Sequence, residues 1–276
     1  MEALRARGFY IAMVGDGVND VLSLKQAHLG ISMQSGSQAT RAVADIVLLE
    51  DSFEALPEAV LEGQRIITGM QDSLHLFLAR AFSMAIAILG AALLGLTFPM
   101  TPKHNTVLAL LTVGVPTLAL AVWARPGPVG RNSLRRTLRT ILPPAVAVSL
   151  IALPLYAWYA RGGDLGTART VFTTFATFCG LALIPLLEPP AGESFSGADR
   201  DGQDWRPTAL ALGLLFGYGL VFLVEPARAF FELTPLPLAD VALIGLLAAG
   251  WCLLVILFWR VRMYDRVMLV WRRARS

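Results

Sequence analysis

The chain has 276 residues, of which 55% are hydrophobic and 16% are charged, and its mean hydropathy is +0.61. This composition excludes an ordinary soluble protein of this length and predicts an integral membrane protein. The net charge is only +3, and the arginines cluster between apolar stretches and near the carboxyl terminus, which indicates membrane topology and argues against nucleic acid as a partner. Cys179 and Cys252 both lie in apolar runs, so we expect buried thiols and neither a disulfide nor a cysteine metal site.

The first elements predicted along the chain alternate between strands and helices. Apolar runs predict strands at residues 9–14, 29–32 and 46–49, and the segments 18–27 and 37–44 between them have helical character. This βαβαβ order is typical of a parallel sheet with helices packed on it. One helix turn and one strand are too little to begin a doubly wound sheet, so we expect the chain to begin in the middle of a domain.

The densest polar cluster follows the first predicted strand and reads MVGDGVNDVLSLK. Gly15 and Gly17 flank Asp16 at the carboxyl end of that strand, where ligands gather in open α/β sheets. Asp16, Asn19 and Asp20 are therefore candidates to converge there as oxygen ligands of Mg²⁺. A glycine turn followed by an Asp or Asn helix cap explains the same pattern, and the spacing leaves both interpretations open.

A long helix is predicted from Asp51 or Ser52 into the first apolar stretch, with no strong stop signal before Ser73. The cytoplasmic segment 1–72 is thus expected to join the membrane domain, residues 73–260, through a nearly continuous stalk able to transmit force. Six apolar stretches follow, each near the roughly 20 residues that a bilayer requires, and six in series argue against the alternative of buried helices in a soluble core. They lie at residues 74–96, 107–123, 141–159, 171–187, 208–224 and 239–259.

Basic residues predict the orientation of these spans. The cations between the second and third spans are Arg131, Arg135, Arg136 and Arg139. Together with the basic tail at residues 261–276, they predict that both termini are cytoplasmic, in a multi-pass protein of the plasma membrane. The polar loop at residues 188–206 is interpreted as a flexible connector, with a regulatory segment as the alternative.

The stretch MVGDGVNDVLSLKQAHLGISM, followed by ADIVLLEDSFEALPEAVLEGQRI and then by apolar spans, resembles the carboxyl-terminal third of bacterial P-type cation-transporting ATPases. The hexapeptide GDGVND by itself indicates only the wider haloacid-dehalogenase-like phosphatase group. The resemblance covers about residues 3–126 well and the last four spans by topology only. It implies an α/β, partial Rossmann-like (haloacid-dehalogenase-like) cytoplasmic segment followed by an all-α bundle of six transmembrane helices.

The resemblance also implies roles for individual residues. Asp16 matches the aspartate that helps to hold Mg²⁺, and Asn19 and Asp20 match residues that organise phosphate, metal and attacking water, with Gly15 and Gly17 as the binding turn. The DKTGT sequence that carries the phosphorylated aspartate of the family does not occur in the 276 residues. We therefore expect no autophosphorylation, and activity, including ATP binding, only with the missing N-terminal portion of a pump.

The transport site of the family lies in the first two of these spans. Ala81 and Met84 stand where other members place polar ligands, and Val113 replaces the usual aspartate. The remaining transport candidates are Ser83, Thr112, Pro116 and Thr117. Pro116 is expected either to free backbone carbonyls for a cation or to form a kink packed against neighbours. The second span is closer to a bacterial subgroup often associated with divalent-cation uptake, which favours a divalent cation as cargo.

Two other functions are compatible with the sequence. A membrane-tethered, Mg²⁺-dependent phosphatase uses the same acidic motif, although it also requires an upstream nucleophilic aspartate. A membrane scaffold or regulator would instead bind an intact pump without catalysing a reaction.

Overall fold

The computed structural model describes residues 2–127, 133–187 and 205–260. The chain divides into two compact units, Met1–Gly63 (the first unit) and Gln64–Ser276 (the membrane unit). The basic tail and most of the polar loop predicted after the fourth span lie outside the described residues, as does Arg131.

The first unit contains a small parallel sheet covered by short helices. Within the described residues its strands pair in the order β1-β2-β3, with Ala12 opposite Leu29 and Ile31 opposite Ile46. The strands are β1 (Ala12–Gly15), β2 (Leu29–Met33) and β3 (Ile46–Leu48), and the helices are α1 (Glu2–Ala6), α2 (Val21–Gln26) and α3 (Gln38–Val43). Leu24 and Ile31 are buried between helix and sheet. The predicted βαβαβ order is confirmed.

Two boundaries in the first unit differ from the prediction for local reasons. β1 begins at Ala12 instead of residue 9, and Tyr10 stacks on His28 with ring centroids 4.2 Å apart. The helix predicted at 18–27 is divided into a 3₁₀ turn, Val18–Asp20, and α2. Asp20 bonds back to the preceding glycine turn, which tightens the start of the helix.

Helix α4 (Ala55–Leu93) is a single helix of 39 residues, so the predicted continuity of the stalk is confirmed. The helix begins at Ala55, later than predicted, because the preceding residues form a turn. There the Ser52 hydroxyl accepts a hydrogen bond from the Glu54 N–H, and the Asp51 carboxylate accepts one from the Ser35 N–H at 3.0 Å. This bond lowers the pKa of Asp51.

The membrane unit contains the predicted spans, since six helices among the described residues are long and apolar enough to cross a bilayer. They begin with α4 and continue as α5 (Pro102–Ala109) with α6 (Val115–Trp123), α7 (Ser133–Ala160), α8 (Leu165–Leu186), α9 (Arg206–Leu223) and α11 (Leu238–Arg260). α5 and α6 form one span, joined by a π-helical turn at Leu110–Gly114. A short helix, α10 (Glu225–Phe230), precedes the last span.

Helix α8 is the central helix of the membrane unit. It is 67% buried inside the protein over its most apolar window, whereas the other five spans are 17–44% buried. Phe172, Phe175 and Cys179 on α8 belong to one apolar core that also contains Tyr156 of α7 and Trp251 of α11. α8 therefore packs against several other helices of the unit, among them α7, α9 and α11.

Candidate functional site

The glycine turn after β1 is closed by the side chain of Asp20. The Gly17 N–H donates to Asp20 Oδ2 at 3.1 Å. A Cβ atom added to Gly15 would lie 2.6 Å from Asp20 Cβ, so this position requires glycine because of the close approach. The alternative of an Asp helix cap is not what Asp20 does: it stands at the start of α2 without a side-chain capping hydrogen bond, and its carboxylate instead accepts the Gly17 N–H.

The backbone of Asp16 is held by the loop that follows β2. Its carbonyl accepts hydrogen bonds from the Ser37 N–H at 2.8 Å and from Thr40 Oγ1 at 3.3 Å. Ser37 caps α3 by accepting a hydrogen bond from the Thr40 N–H at 3.1 Å, and Thr40 is fully buried. The carboxyl ends of β1 and β2 thus meet at one edge of the sheet, with the Asp16 backbone fixed and its side chain exposed.

The acidic edge consists of an exposed Asp16, an exposed Asn19 and a half-buried Asp20. In the part of the chain that the structure describes, no group of three or more His, Cys, Asp or Glu side chains is arranged to hold a metal ion. Mg²⁺ commonly uses only one or two carboxylates, several waters and substrate phosphate oxygens. Two carboxylates and an amide at a fixed turn fit that ion better than a metal that requires a complete protein cage.

Sequence reasoning missed the residues that support this turn. Ser37 and Thr40 provide the hydrogen bonds to Asp16, and their spacing, a helix cap followed three residues later by a hydroxyl, was a usable signal. Gly36 also packs tightly at this turn, because an added Cβ would lie 3.0 Å from Ser32 Oγ and 3.2 Å from the Asp16 carbonyl oxygen.

A cavity of about 40 Å³ lies inside the membrane unit, between α4, the α5–α6 span, α7, α8 and α11. This volume exceeds the roughly 10–15 Å³ needed for one water molecule. Ser83 and Thr112, two of the predicted transport candidates, both line it, whereas Pro116 and Thr117 do not. The structure therefore brings together half of the predicted set.

The two hydroxyls at the cavity donate their protons to their own helices. Ser83 Oγ donates to the Ala79 carbonyl at 2.7 Å, and Thr112 Oγ1 donates to the Leu108 carbonyl at 2.7 Å. The Ser83 carbonyl in turn accepts from Ser149 Oγ at 2.9 Å. Because their protons are already bonded, the hydroxyl oxygens retain only lone pairs for a further partner.

Pro116 and Thr117 lie one turn further along, at the start of α6. Pro116 is buried directly after the π-helical turn, and Thr117 Oγ1 donates to the Gly114 carbonyl at 3.1 Å. π-helical turns interrupt the regular hydrogen-bond ladder and occur frequently at functional sites. Here the interruption coincides with the predicted proline.

The cavity also has lining residues that were not among the predicted transport candidates. Gly180 of α8 approaches Thr112 so closely that an added Cβ would lie 2.6 Å from Thr112 Cγ2. Cys179, Trp251 and Met84 also line the cavity, as does Arg80 of α4. No aspartate or glutamate is among the lining residues in the described part of the chain.

No protein-family model matches the chain. The calcium-transporting ATPase CtpE of Mycolicibacterium smegmatis is 35% identical to it over 285 aligned positions, which cover 99% of this chain and 35% of that protein. This chain is a homologue of P-type cation-transporting ATPases. The probable cation-transporting ATPase exp7 of Streptococcus pneumoniae is 35% identical over 54% of the chain and 20% of its own length. The sodium/potassium exporting P-type ATPase cta3 of Schizosaccharomyces pombe is 36% identical over 44% of the chain and 12% of its own length.

The chain spans about a third of the length of the CtpE proteins that it matches. It resembles the carboxyl-terminal third of the P-type ATPases, as the glycine motif followed by apolar spans predicted. Six helices among the described residues are long and apolar enough to cross a membrane, so the chain is a multi-pass membrane protein related to these ATPases.

Proposed function

We propose that the chain supplies the Mg²⁺ and phosphate-site residues and the transport helices of an ATP-driven cation pump. The observation that carries this proposal is the acidic turn at the carboxyl end of β1, followed by the uninterrupted helix α4, in a homologue of cation-transporting ATPases. The haloacid-dehalogenase-like fold of the phosphorylation domain belongs to the same proposal, supported by the parallel sheet and the GDGVND sequence.

In the first unit, Asp16 and Asp20 would hold Mg²⁺ and Asn19 would orient the phosphate. When bound, the metal would neutralise charge on phosphoryl oxygens during in-line transfer. Asp20 closes the turn through Gly17, and Gly15 allows the close approach of backbone and side chain. The bonds from Ser37 and Thr40 fix the Asp16 backbone, so the carboxylate is held at the sheet edge before substrate arrives.

In the membrane unit, Ser83 and Thr112 would belong to the cation pathway, supported by their shared cavity. Pro116 has no N–H to contribute to the backbone hydrogen-bond ladder, and the adjoining π-helical turn marks the same span as irregular. Thr117 adds a hydroxyl at that point. A divalent cation is the proposed cargo, since relatives named as calcium-transporting match nearly the whole chain.

The proposed location is the plasma membrane with both termini in the cytoplasm. An even number of spans places both ends on one side, and the basic residues between the second and third spans favour the cytoplasmic side. The proposed protein partner is the portion of a pump that carries DKTGT and binds ATP.

A chimera tests this function directly. The portion of M. smegmatis CtpE that aligns with this chain is replaced by the chain, and ATP-driven uptake of radioactive calcium is measured in inverted membrane vesicles. We expect uptake above that of CtpE lacking the portion. A chimera that is inserted and folded but hydrolyses no ATP contradicts the proposal.

Two further experiments, on the chain by itself, separate the pump function from the scaffold or regulator and from the phosphatase. Pulldown of an intact pump by the chain without any ATP turnover would support the scaffold or regulator. Hydrolysis of a generic phosphomonoester by the chain itself, lost on Asp16→Ala, would support the phosphatase.

A further inference from the structure

One residue that lines the cavity of the membrane unit, the half-buried Arg80, carries a permanent charge. Arg80 is the only charged side chain among the lining residues that the structure describes. Its Nη2 donates to Asn105 Oδ1 at 2.5 Å and more weakly to the Asn105 carbonyl at 3.3 Å, and both acceptors are neutral. Its Nε is buried and has no hydrogen-bond partner. Among the residues that the structure describes, the hydrogen-bond acceptors of this guanidinium are therefore the neutral groups of Asn105 and not a carboxylate.

This arrangement is unfavourable for a metal cation in the same space. A guanidinium does not lose its proton in proteins, so its charge persists at every physiological pH. Like charges repel each other most strongly where water is excluded, and the buried Nε places part of the Arg80 guanidinium away from water. The lone pairs of Ser83 and Thr112 are the neutral oxygens available, and they do not offset the repulsion between Arg80 and a metal ion.

We propose that Arg80 is the resident cation of this cavity and a specificity-determining residue, which excludes bare metal ions from the cavity while its guanidinium lies there. Arg80 is carried by α4, the helix whose first residues belong to the first unit. A displacement of α4 would move this charge relative to Thr112 on the next span and Cys179 on α8. The cavity thus accepts a cation only when Arg80 has moved. The relevance of this inference to transport rests on the proposed function. The exclusion of metal ions by Arg80 does not.

The test introduces a carboxylate into the cavity with and without Arg80. Met84 lines the cavity one helical turn after Arg80, so Met84→Glu offers a metal ligand there, and Met84→Gln is the neutral control of equal size. The full chain is placed in lipid nanodiscs as the Met84 variants alone and combined with Arg80→Gln. Melting is followed by tryptophan fluorescence with and without millimolar Mn²⁺. All six tryptophans follow residue 63, so the signal does not report metal bound to the first unit.

With Arg80 present, we expect Met84→Glu to melt no lower than Met84→Gln and to show no response to Mn²⁺, because Arg80 neutralises the new acid. With Arg80→Gln, we expect Met84→Glu to melt below its glutamine control and to be raised by Mn²⁺, with an apparent Mn²⁺ affinity at least tenfold higher than with Arg80. The double variant Arg80→Lys with Met84→Glu retains the positive charge, so it should behave like Met84→Glu with Arg80 present.

Equal Mn²⁺ stabilisation of Met84→Glu with and without Arg80 would overturn the proposal. Absence of any Mn²⁺ response after Arg80→Gln would overturn it too, because something other than Arg80 would then exclude the metal. If the double variant does not assemble, Thr112→Asp replaces Met84→Glu and the same comparison is made. No ATP chemistry enters the readout, so failure here is distinct from failure of the proposed pump function.

Discussion

The acidic turn of the first unit and the cavity of the membrane unit differ in how they are built. The turn lies within six consecutive residues, and a neighbouring loop fixes it mainly through backbone hydrogen bonds. The cavity is assembled from five spans, with lining residues that extend from Leu76 to Trp251 along the chain. The chemistry of a local motif can be predicted from the sequence. The chemistry of a cavity built from several helices can be described only once the packing of those helices is known.

The largest effect is expected at Gly15. Gly15→Ala places a Cβ 2.6 Å from Asp20 Cβ, which is attached to the backbone and cannot move aside, so we expect a loss at the upper end of the roughly 1–3 kcal/mol typical of overpacking. Hydrogen exchange of the β1 and β2 amides measures it, because the first unit has no tryptophan.

Gly17→Ala is the matched control for Gly15. Its nearest contact would be an ordinary 3.5 Å to Asp20 Oδ2, and its φ of −89° suits any residue. Equal loss of amide protection in the two variants would show that the turn is not held by the close approach of Gly15 and Asp20.

A second, somewhat smaller effect is expected at the helix crossing beside the cavity. Gly180→Ala places a Cβ 2.6 Å from Thr112 Cγ2, so α8 and the second span must separate or Thr112 must rotate and break its bond to Leu108. We expect a cost of about 1–2 kcal/mol, within the overpacking range, seen as a lower melting temperature by tryptophan fluorescence.

Gly213→Ala is the control for this crossing, since nothing lies within 4 Å of its added Cβ. It should leave the melting temperature unchanged or raise it slightly, because alanine favours the helix. If Gly180→Ala behaves in the same way, the cavity is not bounded by a tight contact between Gly180 and Thr112.

The smallest effect concerns a local motif inside the membrane unit. Asp164 caps α8 by accepting hydrogen bonds from Thr167 Oγ1 and from the N–H groups of Gly166 and Thr167. The Thr167 side chain is the main reason that the pKa of Asp164 lies below its ordinary value. A carboxylate with a lowered pKa stabilises the folded state above its unfolded pKa of about 3.9, and this contribution is lost as the pH falls through the folded pKa.

Asp164→Ala should therefore lower the melting temperature modestly at neutral pH, and the difference from the natural chain should shrink below about pH 4. Melting temperatures of both proteins across this range provide the measurement. A difference that is constant from neutral to acidic pH would show that the ionised cap does not contribute. The effect is small because the carboxylate is exposed to water.

The sequence predicted most of what local chemistry determines. The βαβαβ order, the continuous α4 and the six spans were visible because each follows from periodicity or length within one segment. The resemblance to P-type ATPases predicted both Ser83 and Thr112 as transport candidates, although it did not predict that they share a cavity. The exclusion of Pro116 and Thr117 from the cavity was not, since it depends on which side of the irregular span packs against α8.

Close contacts between distant segments left no pattern in the sequence. Gly180 resembles any other glycine in an apolar helix, yet its contact with Thr112 shapes the cavity. Arg80 lies in the first predicted span, but its position at the cavity and its hydrogen bond to Asn105 depend on how the helices pack. The start of α4 at Ala55 likewise depended on the turn formed by Asp51 with Ser35.

The most direct test of the central claim is the magnesium dependence of phosphoenzyme formation in the CtpE chimera. Acid-stable labelling from ATP is measured against Mg²⁺ concentration for the natural chain, for Asp16→Asn, and for Asp51→Asn as a matched exposed carboxylate in the same unit. We predict that Asp16→Asn reduces the initial rate of Mg²⁺-dependent labelling by about a hundredfold or more, since even supporting residues of metal sites cost about 10- to 100-fold. Asp51→Asn should retain the natural dependence, whereas natural Mg²⁺ dependence in Asp16→Asn would contradict the account.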